Sequence, residues 1–537
     1  MSWLAGDRAT VISLFVLFIA GCLFVAMLAS PDLQHGGGGF FAHPSRSRPL
    51  RQGLALTGDF VSAAGVLYFC GIVAETGYDG VLLVVAAALS PLLLKVWLAE
   101  RLPGGPGRSL GDVLARRLPS GPARRAAGWA TLVVSVPLLI AQLVPIGRIT
   151  AALMGVPGRT GEITGIVLVG VLICACAGIG GVRGATLLQI GKTLALVVAA
   201  PLLVVLVLAQ FDWNYGELLT RAAAGSGAGD AYLAPGRLFG TGAASRLDTL
   251  SLGLTVLFGT AFLPHLLTRL SASPTAGTAR RATSWAVLAS CLLCAAAAVT
   301  GYGIQALVDS ETLRQAGPRG GDNVLLLAAV LDGADPGSMD APGTLLTFVS
   351  CVAFLTVLAS ASVLLLAGSA AIVHDLRHEG RPPAGQGPAP GGLRARTALL
   401  LVGGACIGLA VTGRTANAQF WLTLSYTEAA TVVLPAVAYS LLWSRFTLRG
   451  LRWCVHGGTC ITVALLALSP AVSGSPHALV PDADWSVFPL HAPGLVSIPA
   501  AFLLGALGSL RRRQQHTPPQ LGTPDGERVN AAGTPRT

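Results

Sequence analysis

The chain has 537 residues, of which only 11% are Asp, Glu, Lys or Arg, against about 25% in an ordinary soluble domain. With 53% hydrophobic residues and 67 glycines, it has too few charges to cover a soluble surface. This excludes a soluble globular protein, a disulfide scaffold, a collagen-like chain and a disordered chain, and leaves an all-α polytopic membrane protein in a lipid bilayer. The formal net charge of +11 does not point to nucleic acid. The basic residues sit in short loops between apolar runs, where membrane topology accounts for them.

A helix crosses a bilayer with about 20 apolar residues. Taken in chain order, such runs predict thirteen spans, at 10–29, 53–74, 79–99, 127–153, 163–180, 185–210, 247–270, 282–307, 343–373, 397–412, 417–443, 452–470 and 488–510. The first run is longer than the apolar stretch of a cleaved signal, and Asp7 offsets Arg8 before it, so it is read as a retained helix. The runs are apolar all round, which argues against the alternating strands of a transmembrane barrel. The transmembrane domain is therefore expected over residues 1–510. The polar, Pro-rich residues 511–537 are expected to form a disordered cytoplasmic tail.

Loop charge sets the orientation. With the amino terminus outside and the carboxyl terminus inside, 25 of the 36 Lys and Arg residues fall on cytoplasmic segments, eight on external ones and three within spans. The alternation holds loop by loop, and a missed span would scramble it downstream. The ten cysteines fall in or beside spans, where they read as buried small hydrophobes. No phosphate loop, dinucleotide fingerprint or HExxH motif occurs, so an enzyme is not expected.

Two spans are interrupted. The second reads Leu56-Thr57-Gly58-Asp59-Phe60-Val61-Ser62-Ala63-Ala64-Gly65, and the seventh reads Leu257-Phe258-Gly259-Thr260-Ala261-Phe262-Leu263-Pro264-His265. They lie five spans apart, so they cross in opposite senses, as the first helices of two inverted repeats do. Backbone groups freed at such a break cannot be left to lipid; they must line a cavity or hold a ligand. Packing of small residues is the alternative at each break taken alone. Ser62, Ala63, Gly65, Gln142, Gly259 and Thr260 are the candidate solute-binding residues: the small ones leave room, and free amides with Gln142 suit a carboxylate. Asp59 and Glu428 are carboxylates at membrane depth, expensive unless paired or wet. Asp59 is expected to shape an ion field or cap the break, and Glu428 to pair with a cation, carry a proton or face water. His265 is a candidate proton-linked or hinge residue. Lys192, near the inner end of its span, is expected to snorkel.

The stretch Gly53-Leu54-Ala55 through Gly58-Asp59-Phe60-Val61-Ser62-Ala63-Ala64, followed by Thr76-Gly77-Tyr78-Asp79-Gly80, resembles the sodium:solute symporter family, and within it the cation–acetate and monocarboxylate permeases. Ala141-Gln142, Gly180-Gly181 with Gln189 and Lys192, Gly259-Thr260 with Leu263-Pro264-His265 and Arg269, His374-Asp375, and Ser497-Ile498-Pro499 follow in family order. The resemblance covers residues 39–510. Pro145, Thr427-Glu428 and Val432-Val433 depart from the family pattern. The resemblance implies thirteen spans and two inverted five-helix repeats like those of the bacterial leucine transporter. It also implies a coupling sodium ion held by the carbonyls of Gly58 and Val61 with Thr356, Ala359 and Ser360, three carbonyls and two hydroxyls in all, a set suited to a hard cation. Back-bonding of the hydroxyls to their own helix is the competing reading. The implied activity is sodium-coupled symport of a small monocarboxylate such as acetate across the cell membrane. Proton coupling, another organic solute, or a non-transporting sensor with the same fold stay open.

Overall fold

The structure is a computed structural model. It describes residues 8–30, 40–41, 48–105, 107–153, 156, 158–309, 312–313, 323–333, 343–377, 391–414, 418–475, 478–480 and 482–510; the expected tail lies outside them. Among these residues the regular structure is helical, apart from one isolated bridge between Ser473 and Val480. In chain order the helices are α1 (Arg8–Leu28), α2 (Pro49–Phe60), α3 (Ala63–Thr76), α4 (Tyr78–Trp97), α5 (Leu110–Leu114), α6 (Ser120–Leu153), α7 (Arg159–Ala209), α8 (Tyr215–Gly225), α9 (Ala243–Ala261), α10 (Pro264–Ser271), α11 (Ala276–Leu307), α12 (Asn323–Leu331), α13 (Thr344–Ala370), α14 (Gly391–Thr412), α15 (Ala418–Glu428), α16 (Leu434–Leu442), α17 (Leu448–Arg452), α18 (Gly458–Ala467) and α19 (Gly494–Leu510). Wide π turns continue α13 to Leu376, join α15 to α16, and join α17 to α18.

Nine helical stretches among the described residues are long and apolar enough to cross a bilayer, and ten if the bent pair α2–α3 forms one crossing. Val16–Leu28 and Gly494–Leu510 are shorter apolar helices. Helix α7, at 51 residues, bends at Gly181, whose φ of 54° and ψ of −157° are backbone angles open essentially to glycine alone. The bend falls between the fifth and sixth expected spans. Counted in crossings, α2–α3 opens a set completed by α4, α6 and the two limbs of α7. The pair α9–α10 opens a second set completed by α11, α13, α14 and α15–α16.

Burial separates inner helices from outer ones. The apolar window of the crossing that begins at Thr344 is 89% buried, against 33% for α4. On α4, Leu82, Val85, Leu89, Leu92 and Val96 are exposed at spacings of three and four, an apolar stripe turned to lipid. Helix α13 packs on α7 and α6, and α11 packs on α2, α3 and α4. At one end of the bundle a polar knot fastens the α4–α6 loop to the end of α13. Ser109 Oγ donates to the fully buried Asp375 at 2.7 Å. Arg124 pairs with Asp112 at 2.6 Å and with Asp375 at 3.3 Å. These bonds answer the burial of the Asp375 carboxylate.

Gly181→Ala forces a Cβ into this backbone geometry at a cost of about 1–3 kcal/mol. A lowered thermal unfolding midpoint of the purified protein is expected; an unchanged midpoint would show that the bend does not require glycine.

Candidate ion and solute site

The two helix breaks have different local causes. Between α2 and α3, Val61 leaves helical geometry and Ser62 is extended, with φ −79° and ψ 156°. The Ser62 hydroxyl accepts from Gly65 N at 3.0 Å and so caps α3, answering one of the amides that a helix start leaves free. The two limbs meet at 53°. Between α9 and α10 the cause is Pro264, the first residue of α10. Proline lacks an amide hydrogen and disfavours helical geometry in the residue before it, and Leu263 is accordingly extended, with φ −62° and ψ 130°.

A small cavity lies beside the first break, closed by the carboxyl-terminal end of α9, by α11 and by α15. It is lined by Phe60, Val61, Ser62, Gly65 and Phe69 of the first broken segment, Thr260 of the second, Ser290 and Leu293 of α11, and Tyr426 of α15, among others. Its volume is about 30 Å³, on a measure where about 10–15 Å³ admits one water. The lining is mainly apolar with a few hydroxyls, the usual make-up of a small-solute pocket. Ser290 is buried and its hydroxyl finds no hydrogen-bond partner among the described residues. The cavity also receives the amino-terminal end of α3, the positive end of a helix dipole.

The expected residues divide. Ser62, Gly65 and Thr260 share the cavity, although Thr260 Oγ1 also donates to Val256 O of its own helix at 2.6 Å. Gly259 serves close packing: a Cβ there would lie 2.3 Å from the Tyr426 carbonyl oxygen. Gln142 is buried on α6 and is not among the residues lining this cavity. Ala63 begins α3, and its side chain is outside the described atoms. Glu428 is also buried away from the cavity. Its Oε2 accepts from Thr459 Oγ1 at 3.3 Å, and its Oε1 has no partner among the described residues.

A buried cation stands among the residues implied to hold sodium. Lys192 is 0% exposed. Its ammonium donates to the Gly58 carbonyl and, at 2.8 Å, to Ser360 Oγ. The expectation that Lys192 snorkels to an interface is corrected here: the side chain crosses to α2 and α13, where two oxygen acceptors replace the water it gives up. Gln189 Nε2 donates to Ala359 O at 3.4 Å, while Thr356 Oγ1 donates back to Val352 O at 2.6 Å. Val61 lines the solute cavity. Gly58 itself is hemmed in by α7, since a Cβ on it would lie 2.7 Å from Gln189 Oε1 and 2.8 Å from Gln189 O.

Asp59 forms an ion pair with Arg269, which joins the first broken helix to α10; Arg269 Nη1 also donates to Thr186 Oγ1 at 3.3 Å. The Asp59 side chain is fully buried, and its charge is paired across elements while Ser62 caps the break. His265 is buried on α10 beside Asp59. In the sequence Arg269 stands among the family-like residues with no partner in view, and Tyr426 and Ser290 carry no signal beyond a place in an apolar run.

The Sodium:solute symporter family pattern matches residues 45–458. The chain belongs to that family. It is 33% identical over 532 residues to a protein of Corynebacterium glutamicum named monocarboxylic acid transporter, covering 94% of this chain and 92% of that one. It is 28% identical over 461 residues to a Bacillus subtilis protein named uncharacterized symporter YwcA, covering 86% of each. Among solved structures, a substrate-bound, outward-open Na+-coupled sialic acid symporter matches with a TM-score of 0.65 at 12% identity, over 94% of this chain and 98% of that one. The nucleobase-cation-symport-1 family transporter Mhp1 matches with a TM-score of 0.52 at 13% identity, over 89% and 95%. The fold of this family member is thus the all-helical, leucine-transporter-like one with two inverted five-helix repeats, in a multi-pass membrane protein.

Asp59→Asn strands the Arg269 guanidinium in a buried setting. Removing one partner of a buried pair costs about 3–5 kcal/mol, so the thermal midpoint is expected to fall. A second change, Arg269→Gln, should restore part of the loss; equal midpoints for the wild type and Asp59→Asn would show that the pair does not hold the breaks together.

Proposed function

We propose that this family member carries a small monocarboxylate, such as acetate, across the cell membrane together with sodium by alternating access. The amino terminus is outside and the carboxyl terminus cytoplasmic in this reading. The observation that carries it is the cavity beside the first helix break, which also takes in Thr260 near the end of α9. It has space for a solute of a few heavy atoms, an unpartnered hydroxyl at Ser290, and the amino-terminal end of α3 to face a carboxylate. The relative named monocarboxylic acid transporter supports the solute class. The family and the structural likeness to a Na+-coupled symporter support the ion.

Ser62, Ala63, Gly65, Thr260 and Ser290 would hold the solute in this reading, with Gln142 available if α6 moves toward them. Sodium would sit between α2 and α13, on Gly58, Val61, Thr356, Ala359 and Ser360. An inward sodium gradient and the membrane potential would drive accumulation, each charge being worth about 2.3 kcal/mol per 100 mV. Proteoliposomes with labelled acetate test this directly. Uptake is expected to rise steeply when an inward sodium gradient replaces choline. Equal uptake in both would remove the sodium claim, and failure to take up any short monocarboxylate would remove the solute claim. Ser290→Ala should raise KM for acetate about tenfold or more, the worth of a hydrogen bond to a charged group. It should leave the thermal midpoint unchanged or raised, because an unpartnered hydroxyl is lost.

One observation favours proton coupling as a second reading: Glu428 is a buried carboxylate with one oxygen unpartnered. In that case an inward proton gradient drives uptake, and Glu428→Gln abolishes the driven flux while sparing solute exchange. Loss of both activities, or of neither, would count against it.

A further inference from the structure

The family reading puts a mobile ion where the structure puts an ammonium. Lys192 Nζ bonds the Gly58 carbonyl and Ser360 Oγ, two of the five oxygens to which sodium is assigned above. Of the other three, the Ala359 carbonyl accepts from Gln189 Nε2 and Thr356 Oγ1 donates to Val352 O; both oxygens keep a lone pair for a cation, so Lys192 is the group that contests the site. Two like charges cannot share two ligands at bonding distance in a buried site; at about 4 Å apart their repulsion is about 4 kcal/mol even at an effective dielectric of 20. The charged groups acting on Lys192 are Asp59 and Arg269, and His265 lies in the same cluster. Asp59 is already committed to Arg269, so no unengaged carboxylate in this cluster is left to balance a second cation.

We propose that Lys192 is a tethered cation that occupies the coupling-ion site, so that its ammonium and a free sodium ion exclude one another there. This rests on the reading that the sodium site lies between α2 and α13. With no ion bound, the ammonium ties α2, α7 and α13 together. Sodium binds only by displacing it, breaking both hydrogen bonds, so the apparent sodium affinity is set by the lysine as much as by the oxygens. The arrangement also gives the site a positive charge in the absence of sodium, available to an anionic solute nearby.

The test compares wild-type protein with Lys192→Met, close in length and neutral, and with Lys192→Gln, which keeps a donor for the Gly58 carbonyl should the methionine variant fold poorly. Binding of radiolabelled sodium to purified full-length protein and thermal stabilisation by sodium chloride over choline chloride are both read as half-saturating concentrations. Both variants are expected to bind sodium about tenfold or more tightly than the wild type, because charge-assisted bonds no longer compete. Appearance of sodium binding in the variants when the wild type shows none supports the proposal equally. Unchanged half-saturation in both variants overturns it. If wild-type uptake is sodium-driven yet the variants bind sodium as the wild type does, only the exclusion fails. If none of the three proteins binds sodium, the assignment of the sodium site falls and takes the exclusion with it.

Discussion

A broken helix at membrane depth frees carbonyls and amides that lipid cannot satisfy, and the rest of this site follows from how they are satisfied here. On α7, Lys192 answers one of them, the Gly58 carbonyl, and its neighbours on the same turn fasten the flanking helices. Thr193 Oγ1 donates to Leu54 O at 2.9 Å, Lys192 donates to Gly58 O, and Gln189 Nε2 reaches Ala359 O of α13. Helix α7 therefore acts as a pin between the first broken helix and α13. The pin explains the glycine at position 58: the close approach of Gln189 leaves no room for a Cβ. A residue that reads as a helix-breaking signal in the sequence is, in the structure, a clearance for the helix that serves the break.

The charges in this region form a small set. Asp59 is matched by Arg269, and Lys192 remains as a positive charge held by neutral oxygens. Burying an ammonium on carbonyl and hydroxyl partners is tolerable only when its bonds are well made. The excess positive charge lies close along the chain to the cavity, since Phe60, two residues beyond Gly58, lines it.

Much of the helical architecture was legible in the sequence because it depends on the length and character of the apolar runs. The apolar runs, the break at Pro264 and the change of direction near Gly181 all have local causes that a chain displays residue by residue. The expected runs at 163–180 and 185–210 belong to one long bent helix, because Gly181 turns the chain without a polar loop. The site was less legible because its partners are far apart in sequence. Lys192 meets residues 134 and 168 positions away, and nothing within its own span distinguishes it from a lysine that snorkels. Tyr426 and Ser290 read as ordinary span residues, and only the folding of α11 and α15 against the first break gives them a cavity to face.

The same bonds constrain how such a molecule can move. Asp59–Arg269 links the first broken helix to α10, so the two interrupted segments are tied across the repeats by a buried pair that is expensive to open. Lys192 links α2 to α13 through a single flexible side chain whose two acceptors are neutral and whose bonds are exchangeable for an ion. Rocking of one set of helices against another, the usual route of alternating access in inverted-repeat transporters, is least costly along a seam whose bonds can be replaced by those of an incoming ligand. Of these two links only the lysine has that property. The wide π turn at Ala429–Val433 lies just beyond Tyr426, where one wall of the cavity leaves regular helix, as such turns often do beside functional sites. The seam between α2 and α13 is thus where an incoming cation can take over the oxygens that the ammonium gives up.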